Sequence, residues 1–211
     1  MFNNEKTLQF VDEHLQDFDG VIGSIHMNNQ DEMAWLDAHT ADQFLEMFKT
    51  QWLRMVQSKR FQILAHFDFF KEYCKAVKKI IQTEEGLAEI DDWIVQTIKE
   101  GVALNSEIII EINTSPSKYD AIFETFVDRR VIKALSDAGV KMTIGSDSHW
   151  LKNVGQKFKD ILAFLVSIGC KQLYYPEKKQ IKGYSTEKAL QLLNSSAEID
   201  YDSLSKQYEV K

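Results

Sequence analysis

The feature that most constrains this chain is an alternation of two kinds of segment. A short, β-branched apolar run ends in a polar residue, and a helix-length amphipathic segment follows. The runs cover residues 21–25, 61–65, 108–112, 141–145 and 171–175. Between them, apolar residues recur at helical spacing over 6–18, 40–57, 69–82, 87–103, 119–138 and 154–168, with a last helix over 186–193. Strands of about five residues alternating with helices predict a parallel α/β sheet with right-handed crossovers. Thr40 is placed to cap the second of these helices, and Gly139 and Gly169 to stop two others. Open doubly wound sheets that bind nucleotides carry a glycine-rich phosphate loop after the first strand. No such loop occurs here, so a β/α barrel or part of one is the expected architecture.

Size and charge narrow the class. The 211 residues fall short of the roughly 250 typical of a complete eight-unit barrel. A net charge of −7 argues against nonspecific nucleic-acid or anionic-membrane binding. It leaves room for a small phosphorylated substrate wherever cations gather locally. No apolar run approaches the about 20 residues of a membrane helix, and residues 1–14 have no apolar signal core. Cys74 and Cys170 read as reduced thiols, which fits a cytoplasmic protein.

Position carries the chemistry. Four runs end in groups that bind metals or substrates: His26, His66, Glu111 with Asn113, and Asp147 with His149. Active sites of β/α barrels gather at the carboxyl ends of the strands. Strand alternation places Glu111 and Asn113 opposite Ile108, Ile110 and Ile112, facing the interior. The same parity groups Thr143, Gly145, Asp147 and His149; Gln62, Leu64 and His66; and Ile22, Ser24 and His26. Converging imidazoles and carboxylates are a ligand set for Zn, Mn or Fe. Glu111 reads equally well as a buried carboxylate anchoring neighbouring loops. His14, within a helix, and His39, before one, read as structural, and Lys178-Lys179 as a solvated turn. No GxSxG elbow supports a serine hydrolase.

Four segments in order carry a resemblance: Gly23-Ser24-Ile25-His26, Leu64-Ala65-His66-Phe67-Asp68, Glu111-Ile112-Asn113-Thr114-Ser115 and Ile144-Gly145-Ser146-Asp147-Ser148-His149. Together they are similar to the later motifs of PHP-type histidinol-phosphatases, of the polymerase and histidinol phosphatase superfamily. The resemblance runs from about Asp17 to about Lys179. It implies a distorted β/α barrel and metal-dependent hydrolysis of L-histidinol phosphate to L-histidinol and phosphate, in histidine biosynthesis. It implies divalent metal ions, up to three, with His26 and His66 on one, Asp147 on a second and His149 on a third. Asp147 and His149 would be catalytic, and Glu111 and Asn113 would support the substrate or the site. The His-X-His motif that opens the family occurs nowhere in this sequence. The expectation is therefore a partial, N-terminally truncated barrel over residues 1–183, followed by a helix and polar tail over 184–211. A non-catalytic remnant, or an interaction protein that dimerises or exchanges strands through open barrel edges, is the alternative.

Overall fold

The first four β-branched runs pair in the order in which they occur. The structure is a computed structural model describing residues 5–27, 30–115 and 124–195. Its strands are β1 (Ile22–Gly23), β2 (Ile63–Leu64), β3 (Ile109–Asn113), β4 (Met142–Gly145), β5 (Gln172–Glu177) and β6 (Gln180–Ser185). Its helices are α1 (Glu5–His14), α2 (Gln30–Ala38), α3 (Ala41–Gln57), α4 (Phe70–Tyr73), α5 (Lys75–Ile80), α6 (Glu84–Leu104), α7 (Arg129–Asp137), α8 (Phe158–Ser167) and α9 (Thr186–Ser195). Strands β1 to β4 form one parallel sheet in the order β1-β2-β3-β4. The chain is thus an α/β protein, and the strand order never reverses.

Register fixes the two faces of that sheet. Leu64 pairs with Ile110, and Ile110 with Met142, so these share a face with Ile112. That face joins the helices in one core, with Phe44, Phe48 and Trp52 of α3 and Ile90, Ile94 and Ile98 of α6. Each such side chain contributes about 1.5–3 kcal/mol by leaving water. Ile63, Ile109, Glu111, Asn113, Thr143 and Gly145 share the opposite face.

Helix ends follow the sequence closely. Thr40 and Gln43 form a capping box: each side chain accepts from the other's backbone N–H. Gly139 and Gly169 sit at φ 70° and 78°. After each, the next residue's N–H reaches back to Leu135 and Leu165 respectively, closing Schellman motifs that satisfy the last carbonyls of α7 and α8.

Other expectations are corrected. The fifth run does not extend the parallel sheet. β5 instead pairs antiparallel with β6, a strand the periodicity did not announce. Lys178 and Lys179 close this hairpin at φ 49° and 64°, the two left-handed positions of a type I′ turn. The turn is docked: its Lys178 N–H donates to Asp19 Oδ1 at 2.6 Å and Lys179 N–H to the Asp19 carbonyl at 3.2 Å. At the other side β5 lies against β4. The hairpin therefore bridges the chain entering β1 and strand β4, the two outer strands of the sheet.

The helix expected over 69–82 breaks at Cys74, whose ψ of 100° is extended. Of the helix expected over 119–138, residues 119–123 lie outside the described residues. Phe126 pairs with Asn113 across an antiparallel bridge, and α7 starts only at Arg129, capped by Asp128. Helix α2 was not foreseen, and residues 196–211 of the polar tail lie outside the described residues. Among the described residues no helix is long and apolar enough to cross a membrane. Both cysteines are free.

Candidate active site

The carboxyl ends of β1 to β4 bring most of the expected residues together. After β2 the chain leaves the extended region at once: His66 has φ 29° and ψ 59°. This turn corrects the parity expectation. Leu64 points to the helix face by register, and His66 reaches the site because the backbone reverses, not because it shares a side with Leu64. The His66 ring lies edge-on to His26, with centroids 4.9 Å apart, and Phe69 flanks both rings. His26 is exposed and His66 buried.

Glu111 is buried at the centre of this face. Its Oε2 accepts from the His66 backbone N–H at 3.2 Å and from Asn113 Nδ2 at 2.9 Å. The Asn113 Oδ1 accepts from the Ser115 N–H at 2.8 Å, so the carboxamide is held at both ends. Glu111 lies over Gly145 of the neighbouring strand. A Cβ at Gly145 would stand 2.0 Å from Glu111 Oε1, so only glycine leaves room for the carboxylate. The Gly145 carbonyl in turn accepts from the Thr114 N–H at 2.8 Å.

Asp147 and His149 follow β4 and are exposed. Asp147 is at φ 43°. The His149 Nδ1 lies 3.0 Å from the Asp147 carbonyl oxygen, a bond in which Nδ1–H donates and Nε2 is left facing away as a base or ligand. Asp147 lies near enough to act by charge on both His66 and Glu111.

Electrostatics at the centre follow from burial. Burial and then the charge of His26 pull His66 below the ordinary histidine range, against the opposing charges of Asp147 and Asp68. Burial lifts Glu111 above the ordinary carboxylate range. The Asn113 and His66 hydrogen bonds resist that shift and Asp147 reinforces it. A neutral His66 keeps a ring nitrogen lone pair for a Lewis acid.

A divalent cation is tested against this donor set. Two imidazoles in contact, one held neutral, fit the first two ligands of such a cation. Among the described residues, no three His, Cys, Asp or Glu side chains come together as a metal site. Two positions escaped the sequence reading. Asp68, two residues after His66, is buried and accepts from the Val127 N–H. Lys71 is buried between Asp68 and Asp91. A charged pair three apart inside an apolar helical segment was the available signal.

No protein-family model matches the chain. Among curated proteins, a probable histidinol-phosphatase of Clostridium acetobutylicum is 28% identical over 171 residues. The similarity covers 79% of this chain and 64% of that relative, so the chain spans a little under two thirds of the relative's length. At this distance the chain is similar to a histidinol-phosphatase over most of its length.

Proposed function

We propose that the chain is a metal-dependent phosphoester hydrolase that acts on L-histidinol phosphate, releasing L-histidinol and phosphate. One observation carries the reading: His26 and His66 meet at the carboxyl ends of adjacent parallel strands, with Glu111, Asn113 and Asp147 beside them. The distant likeness to a probable histidinol-phosphatase supports the reaction class and the substrate. The unreversed strand order and the hairpin that reaches both outer strands support a segment of a β/α barrel.

In this reading His26 and His66 would hold one divalent cation, Zn, Mn or Fe, with Asp147 and His149 as ligands of further cations and as catalytic groups. When bound, the cation supplies positive charge to a phosphoryl group in transfer. The chain's own residues do the rest. Burial keeps His66 neutral and available. Glu111 receives the His66 N–H and so fixes the turn that carries the ring. Asn113 orients Glu111, and His149 presents its Nε2 outward from the loop. Such a hydrolase of a small biosynthetic phosphoester works in the cytoplasm and needs neither nucleic acid nor a membrane.

Phosphate release from L-histidinol phosphate by the purified chain, with Zn, Mn or Fe added in turn, tests the proposal. Turnover that depends on metal and is abolished in His66→Ala supports it. Wild-type chain that binds none of the three metals and releases no phosphate overturns it. A second reading, as a self-associating interaction protein, rests on Ile22 of outer strand β1, which is 57% exposed. Light scattering over a dilution series separates the two: a concentration-independent monomer counts against self-association.

A further inference from the structure

The site is closed by a circuit whose Asp68–Val127 arm the phosphatase reading does not use. Asp68 is 1% exposed, and so is Asp91, with Lys71 fully buried between them. The Lys71 ammonium stands 3.1 Å from Asp68 Oδ2 and 3.0 Å from Asp91 Oδ1. The other oxygen of Asp68 accepts from the Val127 N–H at 2.5 Å. Val127 is a buried β-branched residue at φ 76°, a conformation such residues rarely adopt. Two side chains hold it there: Asp68 on its N–H, and Thr125 Oγ1, which donates to its carbonyl at 2.7 Å. Strain that is over-determined in this way marks a segment whose position matters.

The neighbour of Val127 completes the path. Phe126 exchanges two backbone hydrogen bonds with Asn113, at 2.8 and 3.0 Å. Asn113 donates to Glu111, and Glu111 accepts from the His66 N–H. His66 begins the turn that carries Asp68. The path thus runs His66, Asp68, Val127, Phe126, Asn113, Glu111 and back to His66. Along it, the Asp68 carboxylate supplies the hydrogen bond that joins the turn after β2 to the segment that pairs with β3, beside the ring contacts of His66 and Phe69 with Phe126.

We propose that Asp68 is a positioning residue: held by Lys71, it locks the His66 turn to the Glu111–Asn113 pair through Val127, and so sets the contact between the His66 and His26 rings. The functional consequence rests on the phosphatase reading; the geometric one does not. Two double variants isolate the link. Asp68→Asn with Lys71→Met keeps an oxygen for the Val127 N–H and removes the buried ion pair. Asp68→Ala with Lys71→Met removes both.

Nuclear Overhauser contacts between the His26 and His66 rings in metal-free protein are the primary readout. The asparagine variant is expected to keep them and the alanine variant to lose them. In the alanine variant kcat on L-histidinol phosphate is expected to fall about 10-fold or more, as for supporting residues of metal sites, with KM within about 2-fold. Ring contacts that survive in both variants, or vanish in both, overturn the proposal. Hydrogen exchange of the wild-type chain needs no variant to fold. The amides of His66, Asn113 and Val127 are expected to open together as one unit, and a His66 amide that exchanges independently of Val127 overturns the proposal as well. Loss of the ring contacts in the alanine variant alone, with no phosphatase turnover in wild type, would sustain the positioning role while the phosphatase reading fails.

Discussion

The two halves of the site are built differently. The half from β2 and β3 is buried and cross-linked: His66, Glu111 and Asn113 bond one another across the sheet, and Asp68 ties their loops together. The half from β1 and β4 is exposed. Among the described residues, His26 meets the first half through its ring, and His149 bonds its own loop at the Asp147 carbonyl. A rigid, buried platform therefore stands beside an exposed, adjustable half. Substitutions on the platform are expected to cost stability and activity together, and substitutions on the adjustable half to cost activity alone.

The largest expected effect is Gly145→Ala. A Cβ there would collide with Glu111 Oε1 and, behind it, the rest of a carboxylate that is bonded on two sides. Overpacking of this kind costs about 1–3 kcal/mol, and the pinned carboxylate argues for the upper end. Urea unfolding measures it, and phosphate release is expected to vanish with the displaced Glu111. Unchanged stability would mean that Glu111 is not fixed over β4 and that the platform is softer than described.

Next comes the histidine pair, which sets the two halves side by side. His66→Ala empties a buried position flanked by Phe69 and Phe126, and is expected to cost about 2 kcal/mol. His26→Ala removes an exposed ring and is expected to stay within about 0.5 kcal/mol. Both are expected to abolish metal-dependent turnover. Equal stability losses would erase the distinction between the halves.

How far the sequence anticipates this division depends on how local each cause is. The inward parity of Glu111 and Asn113 is legible because β3 stays extended over its whole length and pairs on both sides. The capping box at Thr40 and the stops at Gly139 and Gly169 are legible because their bonds span only a few residues. The turn at His66 is not, because it is stabilised by Glu111 and Val127, which lie 45 and, through Asp68, 59 residues away. The hairpin turn at Lys178-Lys179 adopts two positive φ angles without glycine or asparagine, and its support comes from Asp19 at the far end of the chain. The strand bridge at Phe126 interrupts an amphipathic pattern because Phe126 exchanges backbone bonds with Asn113 of β3, a partner that local periodicity does not name.

The platform also leaves a mark in pH dependence. The Glu111 value is raised on folding, so the folded chain binds that proton more tightly than the unfolded one. Its stabilisation is full below the ordinary carboxyl value and is lost as pH rises through the raised value. His66 runs the other way: its value is lowered by burial, so its contribution is present above its ordinary value and is lost as pH falls through the lowered one. Glu111→Gln keeps an acceptor and cannot ionise. Its stability relative to wild type is expected to improve as pH rises from about 4 toward neutrality. For His66→Ala, the deficit is expected to shrink as pH falls below about 6.5. Stability curves that stay parallel to wild type across both ranges would show that neither group is coupled to folding.

The smallest expected stability effect belongs to the loop after β4. Asp147 and His149 are both exposed, and His149 Nδ1–H donates to the Asp147 backbone carbonyl. Asp147→Asn and His149→Ala are therefore expected to change unfolding free energy by no more than about 0.5 kcal/mol. Their effect on the platform is electrical. Asp147→Asn withdraws a negative charge that raises both His66 and Glu111, so both groups are expected to titrate lower than in wild type. His149→Ala withdraws no such charge, and the His66 titration followed by proton resonance is expected to stay where it is. If His149→Ala moves the His66 titration as far as Asp147→Asn does, the loop acts on the platform by position rather than by charge. The adjustable half would then be part of the rigid one.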